Sequence, residues 1–370
     1  MTMIKQTRRI AILASFSGEG GVERMILNLA EGLLSLGCKV ELLCIRQDSP
    51  HLQNLSASIK VIPLGVRHAL QAVMPLASYL KKNKPDGLIA AKDRAGQAAV
   101  MARLISGTHT RLAIRIGTTV SAAIKGKSLF QRWAWYLPMR IFYSRTDRII
   151  AVSQGVARDI CRITGLNEKK VTAVPNPVIH QRMYELAQEK TGHSWLDSPD
   201  LPVILGIGRL TRQKDFQTLI RGFALLQAHI PSRLVILGRG RDEAALQKLA
   251  QDLNVHERVS FAGWSGNPYA FMSKASLFVL SSRWEGSPNV LTEAMALGIP
   301  CVATDCPSGP SELLAGELRR HLVPVEDHEA MTMAMLDTLR NPPDAQRLKE
   351  AVRPYEMQNS ARQYLNALFS

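Results

Sequence analysis

Short apolar strands alternate with amphipathic helices along nearly the whole chain. In residues 87–117, GLIAA predicts a buried strand, DRAGQAAVMARLIS a helix and RLAIRIG the next strand. Near the N-terminus, RRIAILASF, a helix over residues 22–37 and CKVELLCI repeat this order. Strand, helix and strand in succession form βαβ units, and such units build a parallel sheet.

The alternation runs through two successive parts of the sequence. The chain has 370 residues, which is long enough for two domains. We predict an N-terminal domain over residues 1–177, a linker over 178–200, a second domain over 201–352 and a C-terminal helix over 353–370 that packs back on the N-terminal domain. Ligands of doubly wound α/β sheets bind beyond the carboxyl ends of the strands. The expected architecture is therefore two Rossmann-like doubly wound domains that face a cleft, with the site in that cleft.

Positive charge is concentrated in the first half of the chain. Residues 1–177 hold 26 Lys and Arg against 10 Asp and Glu, a net charge of +16, whereas the remaining residues hold 20 against 21, a net charge of −1. Such asymmetry indicates nucleic acid or an anionic membrane surface as a partner, and a merely solvated basic face is the alternative. The sequence has no nucleic-acid-binding motif, so we expect a membrane surface and no nucleic acid.

Residues 124–148 interleave Lys and Arg with aromatic residues, in the stretch IKGKSLFQRWAWYLPMRIFYSRTDR. This mixture suits a membrane interface, where one end of a side chain is wet and the other apolar. The alternative is a helix with one aromatic face in the core. No run of about 18 apolar residues occurs, and the five cysteines form no C-x-x-C pair, which indicates a reducing compartment. We expect a cytoplasmic protein, peripheral on the inner face of the cytoplasmic membrane.

Two glutamates stand out in SRWEGSPNVLTEAMALGIPCVATD, which runs from residue 282 to residue 305. Ser287 as a cap and Pro288 at the first helical position predict a helix start, and a helix N-terminus attracts phosphate. Glu285 precedes that start, where its carboxylate could accept hydrogen bonds from sugar hydroxyls. Glu293 could take the paired hydroxyls of a ribose, as an acid does in dinucleotide-binding folds. The alternatives are an acid that complements the helix dipole for Glu285 and a solvated helix face for Glu293.

The segment E-G-S-P-N-V-L-T-E resembles the E-x7-E motif of retaining GT-B glycosyltransferases, especially those of family 4. G-I-G-R-L-T-R-Q-K-D at 206–215, L-V-I-L-G-R-G at 234–240 and F-A-G-W at 261–264 are similar to the same family. In the first half, G-E-G-G-V-E-R at 18–24, A-V-S-Q-G-V at 151–156 and V-P-N-P-V at 174–178 also resemble it. The resemblance covers nearly the whole chain.

The resemblance implies that a nucleotide-diphosphate sugar, expected to be a UDP-sugar, lies mostly on the second domain. Glu285 would hold hydroxyls of the transferred sugar, Glu293 would bind the ribose, and Arg209 and Lys214 would clamp the diphosphate. Glu285, Arg209 and Lys214 are thus the implied catalytic residues, since two cations neutralise the leaving diphosphate where charge develops. The implied donor-binding residues are Gly20, Gly21, Arg209, Lys214, Gly263, Trp264, Glu285, Gly286, Ser287, Pro288, Asn289, Val290, Leu291 and Glu293.

Neither a metal nor another cofactor is expected. No D-x-D occurs, and the nine histidines show no metal-ligand spacing, so cations would take the place of a metal at the diphosphate. The resemblance implies retention of the anomeric configuration. Double displacement and front-face transfer both remain open, and the sequence does not make Glu285 a nucleophile.

The acceptor side departs from the family pattern. Many members place a histidine in the loop after the strand that corresponds to RLAIRIG, whereas this loop reads Gly117-Thr118-Thr119. Arg115, or the run Lys92, Asp93 and Arg94, is therefore expected to contact the acceptor. The expected activity is a retaining, metal-independent hexosyltransferase that acts on a lipid-linked saccharide or a lipopolysaccharide-type acceptor. The alternatives are a sugar-nucleotide epimerase and a non-catalytic scaffold of the same fold.

Overall fold

A computed structural model describes residues 7–18 and 20–370 of the chain. Residues 1–6 and Glu19, which belongs to the G-E-G-G-V-E-R motif, lie outside the described residues. The chain divides into a first unit of residues 1–178 and 355–370 and a second unit of residues 179–354. Among the described helices, none combines the length and the apolar character that crossing a bilayer requires.

The first unit contains a seven-stranded parallel sheet. Its strands are β1 (Arg9–Phe16), β2 (Lys39–Gln47), β3 (Lys60–Pro63), β4 (Gly87–Ala91), β5 (Arg111–Ile116), β6 (Arg148–Ala151) and β7 (Val171–Ala173). Their order is β3-β2-β1-β4-β5-β6-β7, so the direction of winding reverses between β1 and β4. All five residues of β4 are buried, as expected for a strand that is covered on both faces.

Six helices connect these strands. They are α1 (Gly21–Ser35), α2 (Val73–Asn83), α3 (Asp93–Ser106), α4 (Val120–Ala123), α5 (Leu129–Tyr143) and α6 (Gln154–Thr164). Local chemistry sets the bounds of α6. The hydroxyl of Ser153 accepts a hydrogen bond from the backbone N–H of Val156, and Gly165 ends the helix with a φ of 70°.

The second unit contains a six-stranded parallel sheet. Its strands are β8 (Val203–Ile207), β9 (Arg233–Leu237), β10 (Val259–Gly263), β11 (Leu277–Leu280), β12 (Cys301–Thr304) and β13 (Leu322–Val323). The order β10-β9-β8-β11-β12-β13 reverses between β8 and β11. Its core packs Ile204, Ile236 and Val279 of the sheet against Phe223 and Met335 of the helices.

The helices of the second unit begin inside the segment expected to be a linker. They are α7 (Gln181–Leu186), α8 (Ser194–Asp197), α9 (Phe216–Leu226), α10 (Glu243–Asp252), α11 (Pro268–Lys274), α12 (Asn289–Ala296), α13 (Pro310–Leu313), α14 (His328–Arg340) and α15 (Ala345–Ala351). The Asn267 amide donates to the Leu186 carbonyl at 2.9 Å, and Lys274 Nζ lies 2.6 Å from Asp197 Oδ1. Residues 179–200 therefore belong to the second unit.

The C-terminal helix α16 (Met357–Phe369) belongs to the first unit, where it packs on α1. A Cβ on Gly32 of α1 would lie 2.8 Å from the Ala361 Cβ and 3.0 Å from the Met357 carbonyl oxygen. The two helices can approach this closely because position 32 has no side chain. Short 3-10 turns occupy Pro50–Asn54, Ala69–Ala72, Glu168–Lys170, His256–Arg258, Gly316–His321 and Arg353–Tyr355.

Candidate active site

The second sheet brings a lysine and a glutamate together where its winding reverses. Lys214 follows β8, Glu285 follows β11, and these strands are neighbours at the reversal point. The Lys214 Nζ lies 2.6 Å from Glu285 Oε1. In open parallel sheets this reversal leaves a crevice beyond the carboxyl ends of the strands, which is where such folds bind ligands.

Glu285 is largely removed from solvent, with 7% of its surface exposed. The hydroxyl of Ser282 donates to Oε1 at 2.7 Å, so this oxygen accepts from both Ser282 and Lys214. The backbone N–H of Glu285 donates to the Pro307 carbonyl at 3.3 Å. Lys214 and Ser282 thus orient the carboxylate, and the contact with Pro307 fixes the backbone that carries it.

The negative charge of Glu285 acts on a neighbouring thiol. Burial, and then the Glu285 carboxylate, raise the pKa of Cys306 to about 12. Lys214 opposes the shift only weakly. Cys306 is therefore a protonated, unreactive thiol at neutral pH, and no chemistry is assigned to it.

Hydrogen bonds to the backbone tie the two loops together. Ser281 donates through its hydroxyl to the Lys214 carbonyl at 2.8 Å, and the Gln213 amide donates to the Trp284 carbonyl at 2.9 Å. The N–H of Arg283 donates to the Gln213 carbonyl at 2.8 Å. These hydrogen bonds fix the loop that carries Lys214 against the loop that carries Glu285.

Asp215 is a buried acid beside the site to which the sequence assigned no role. It adopts a left-handed conformation, with a φ of 46°, just before α9, and its Oδ2 accepts from the Thr218 hydroxyl at 2.8 Å. The Arg283 guanidinium lies 3.2 Å from the same carboxylate. An acid directly before a helix start is a sequence signal that could have identified it. Its contacts fix the loop that carries Lys214.

Two glycines after β9 allow its loop to approach the loop after β8. A Cβ at Gly238 would lie 1.9 Å from the Gly208 carbonyl oxygen, and Gly238 has a φ of 146°. A Cβ at Gly240 would lie 2.2 Å from the Leu210 carbonyl oxygen. Arg209 and Arg239 lie in these adjoining loops with exposed side chains.

Trp264 continues the same edge beyond β10. Its side chain is exposed, and the preceding Gly263 has a φ of 71°. In sheet order, the carboxyl edge therefore presents Trp264, Arg239, Arg209 and then the Lys214–Glu285 pair. This edge combines an aromatic face with cations.

The residues after Glu285 form the turn into α12, and the predicted helix start needs a correction. The helix begins at Asn289, and its N-cap position is Pro288, not Ser287. The hydroxyl of Ser287 is buried and makes no hydrogen bond within the described part of the chain. The φ of 98° at Gly309 lets the loop after β12 pack on Gly286 and Pro288. Val290 and Leu291 lie in the first turn of α12.

Glu293 lies on the buried side of α12. Only 1% of its surface is exposed, and its Oε1 is 3.4 Å from the hydroxyl of Tyr269, which donates to it. The alternative of a solvated helix face for Glu293 is therefore wrong. Burying a carboxylate this deeply is costly for stability alone, and this favours a role in binding for Glu293.

The first unit holds the remaining candidates at the carboxyl edge of its own sheet. Gly20 and Gly21 lie at the start of α1. Gly20 has a φ of −78° and open space where a Cβ would lie, so backbone geometry does not require glycine there. Lys92, Asp93 and Arg94 follow β4, with Lys92 and Arg94 exposed. Asp93 accepts hydrogen bonds from the Tyr143 hydroxyl at 2.8 Å and the Gln97 amide at 3.0 Å.

Arg115 at the end of β5 is buried. Its guanidinium donates to Asn176 Oδ1 at 2.9 Å and to the Tyr364 hydroxyl at 3.3 Å. Arg115 thereby links β5 to the end of the first unit's main segment and to α16. These contacts give it a positioning role in the first unit, and a direct contact with an acceptor remains a prediction.

Helix α5 divides its aromatic residues between core and solvent. Met139 and Tyr143 are buried, and Tyr136 and Phe142 pack against the core. The exposed apolar surface of α5 consists of Leu129, Phe130, Trp133, Trp135 and Ile141. The C-terminal half of the helix thus matches the core alternative, while the N-terminal half leaves aromatic rings in solvent beside Lys125 and Lys127.

Comparisons with known proteins agree with this architecture. Residues 19–182 match the family model described as Glycosyltransferase Family 4, and residues 188–354 match the model described as Glycosyl transferases group 1. The two matches omit only residues 1–18, 183–187 and 355–370. The chain belongs to the group 1/family 4 glycosyltransferases.

Similar glycosyltransferases act in the assembly of surface saccharides. One is N-acetylgalactosamine-N,N'-diacetylbacillosaminyl-diphospho-undecaprenol 4-alpha-N-acetylgalactosaminyltransferase of Campylobacter jejuni, which is 29% identical over 90% of this chain and 91% of its own. Another is the lipopolysaccharide core biosynthesis glycosyltransferase LpsE of Rhizobium meliloti, which is 29% identical over 86% of both chains.

The same fold occurs in solved GT-B glycosyltransferase structures. The Anabaena HepE structure in complex with UDP and glucose superposes with a TM-score of 0.77, covering 98% of this chain and 99% of that one at 17% identity. This likeness confirms the predicted fold class of two parallel-sheet, Rossmann-like α/β domains.

Proposed function

We propose that this glycosyltransferase moves a hexose from a UDP-sugar to a lipid-linked saccharide or a lipopolysaccharide-type acceptor, with retention of configuration. The observation that carries the proposal is the Lys214–Glu285 pair at the reversal point of the second sheet. A carboxylate can accept hydrogen bonds from sugar hydroxyls, and a neighbouring ammonium group can neutralise a diphosphate. This is the combination that a nucleotide-diphosphate sugar needs at its scissile bond.

In this proposal the second unit binds the donor. Lys214 and the exposed Arg209 neutralise the diphosphate as the glycosidic bond breaks, and charge stabilisation of this kind is a large catalytic term. The turn of residues 286–291 presents backbone N–H groups to the sugar and phosphates. Glu293 accepts the ribose hydroxyls, and Gly263 and Trp264 border the nucleotide. Gly20 and Gly21 are the remaining proposed donor-binding residues.

Glu285 holds the sugar hydroxyls and does not attack the anomeric carbon in this proposal. One of its oxygens already accepts from Lys214 and Ser282. Such hydrogen bonds stabilise the carboxylate and lower its nucleophilicity. Retention then proceeds by front-face transfer, in which the leaving diphosphate takes the proton of the attacking acceptor hydroxyl.

The proposed reaction uses cationic side chains at the diphosphate and no metal ion. Within the described residues, no group of three or more His, Cys, Asp and Glu side chains has a metal-binding arrangement. Arg209 and Lys214 supply positive charge at the same edge of the sheet. These two cations are the feature that supports metal independence.

The proposed acceptor side is the first unit, at the inner face of the cytoplasmic membrane. Its net charge of +16 and the exposed apolar surface of α5 suit an anionic leaflet. The name of the Campylobacter relative gives a diphospho-undecaprenol-linked saccharide as its acceptor. The name of LpsE gives lipopolysaccharide core biosynthesis as its role. Lys92, Asp93, Arg94 and Arg115 are the proposed acceptor residues.

A transfer assay with product analysis tests the proposal. The enzyme is incubated with UDP-, GDP- and ADP-hexoses and with membrane extracts that contain lipid-linked saccharides and lipopolysaccharide, in the presence of EDTA. We expect transfer from a UDP-sugar with an α-linked product, and its loss in Glu285→Gln. Epimerised nucleotide sugar would support the epimerase alternative, and a β-linked product would contradict retention. No turnover of any donor would favour the non-catalytic scaffold.

A further inference from the structure

A cavity of about 520 Å³ opens at the carboxyl edge of the first sheet. It is bordered by the segments that follow β1, β4 and β5, which are neighbours in the sheet order. Its apolar wall consists of Val22, Ile116, Val120, Ile124, Trp135 and Met139. The cavity therefore lies where α/β units bind ligands, and it is built entirely within one unit.

Charged groups also line this cavity. Lys92 and Lys127 line the cavity and have exposed side chains. Arg115 also lines it, with its guanidinium bonded to other residues of the unit, and Asp93 is the acidic lining residue. Three cations and one carboxylate leave the border of the cavity net positive.

The lining distinguishes between two kinds of ligand. A sugar ring is recognised by several hydrogen-bonding groups around its hydroxyls, whereas most of this wall is hydrocarbon. Apolar walls beside exposed lysines complement a hydrocarbon chain that carries an anionic group. Each additional buried methylene strengthens such binding by about fourfold.

We propose that this cavity binds the hydrocarbon chain of a phosphate-bearing lipid acceptor, with its phosphate at Lys92 and Lys127. The inference rests on the proposed function and specifies which part of the acceptor is recognised. Trp135 belongs both to the cavity wall and to the exposed apolar surface of α5. Trp135 would then contact a chain that passes from a bilayer beneath α5 into the cavity.

Calorimetric titration of the full chain tests the proposal with three probes below their micellar concentrations. Farnesyl phosphate represents an isoprenoid carrier, n-dodecyl phosphate an acyl lipid, and inorganic phosphate the head group alone. We expect at least one chain-bearing phosphate to bind at least tenfold more tightly than inorganic phosphate. Tighter binding of the farnesyl probe would indicate an isoprenoid source, and tighter binding of the dodecyl probe an acyl source.

The variant Ala123→Trp adds bulk to the cavity from an exposed position on α4. It should weaken binding of the chain-bearing probe at least tenfold. The matched control is Ala134→Trp, which adds the same side chain at an exposed position of α5 outside the cavity lining and should bind as the unaltered protein does. Equal affinity in Ala123→Trp and the unaltered protein would overturn the proposal, as would equal binding of inorganic phosphate and the chain-bearing probes.

A second variant covers the case in which Ala123→Trp fails to fold. Lys127→Ala should weaken the binding of farnesyl or dodecyl phosphate but leave the binding of the corresponding alcohol unchanged. Unchanged binding of the chain-bearing phosphate would contradict the assignment. UDP is titrated in parallel, because its expected site lies in the second unit. If the protein binds UDP but these variants do not weaken binding of the chain-bearing phosphates, only the cavity assignment is refuted. If the unaltered protein does not bind UDP, the proposed function itself is refuted.

Discussion

The Lys214 Nζ and Glu285 Oε1 lie 2.6 Å apart although 71 residues separate them in the chain. Each residue follows one of the two strands at which the second sheet reverses its winding. Both side chains are mostly buried, with 17% and 9% of their side-chain surface exposed. The fold thus places one positive and one negative charge together where a doubly wound sheet forms its ligand crevice.

This pair should be energetically coupled in the absence of any ligand. We expect Glu285→Gln and Lys214→Met each to lower the free energy of unfolding, because either single change removes one charge of the ion pair. The double variant should lose less free energy of unfolding than the two single losses added together. The coupling free energy should be about 0.5–3 kcal/mol. It is measured by chemical unfolding of the four proteins. The exposed pair Lys248 and Asp252 is the control, with a coupling of about 0.5 kcal/mol or less. Additive effects at Lys214 and Glu285 would contradict the prediction.

Glu293 should affect the nucleoside part of the donor and not the diphosphate. Glu293→Gln keeps the shape of the side chain and removes its charge, so we expect UDP to bind about tenfold or more weakly. Pyrophosphate should bind as it does to the unaltered protein. Calorimetric titration measures both affinities, with Tyr269→Phe as the control that removes the hydroxyl 3.4 Å from Glu293 Oε1 and keeps the carboxylate. An equal loss for pyrophosphate would show that Glu293 does not act on the ribose.

Gly238 should tolerate no side chain. In Gly238→Ala the Cβ would lie 1.9 Å from a backbone oxygen, which no rotamer change can relieve. We expect a loss of at least about 2 kcal/mol in the free energy of unfolding. The matched change Gly266→Ala places its Cβ 3.6 Å from the end of the Trp264 ring and should cost less than about 1 kcal/mol. Urea unfolding compares the two variants, and similar stabilities would contradict the close approach of the two loops.

His321 should make stability depend on pH. Burial, reinforced by Arg320, lowers the pKa of His321 below its usual value of 6.5, while Asp337 opposes the shift. The unfolded chain then binds more protons than the folded protein between the folded pKa and 6.5. The contribution of His321 to the free energy of unfolding should therefore be fully present above pH 6.5 and decline as the pH falls through this window.

Unfolding experiments between about pH 5 and pH 8 measure this slope. His321→Gln should reduce it, since the buried ring, which is bonded to the Thr338 hydroxyl at 2.9 Å, is then absent. His229→Gln alters an exposed side chain and should retain the slope. An unchanged slope in His321→Gln would show that other groups cause the pH dependence.

The sequence predicted most of the fold because its strands and helices are locally consistent. GLIAA and DRAGQAAVMARLIS correspond residue for residue to β4 and α3. Strand β13 escaped prediction because two residues cannot show a period of two. Helix α14 was also missed, although Met331, Met335 and Leu336 recur at helical spacing and gave a usable signal.

The candidate site was less accessible to sequence reasoning. Strand alternation predicts that loops meet at one edge, yet which loops become neighbours depends on the order of the strands. The contact between Lys214 and Glu285 is of this kind. Asp215 escaped attention because its role depends on Arg283, which is 68 residues away. The cap at Ser287 was placed one residue early, since cap residues indicate a helix boundary only approximately.

UDP affinity, determined by calorimetric titration in the presence of EDTA, tests the nucleotide-sugar site most directly. We predict binding to the unaltered protein and a loss of about tenfold or more in Arg209→Ala, which removes an exposed cation from the loop that also carries Lys214. The control Arg212→Ala removes an exposed arginine from the same loop and should leave the affinity unchanged. No UDP binding, or equal affinities in Arg209→Ala and the unaltered protein, would contradict a nucleotide-sugar site at this edge of the second sheet.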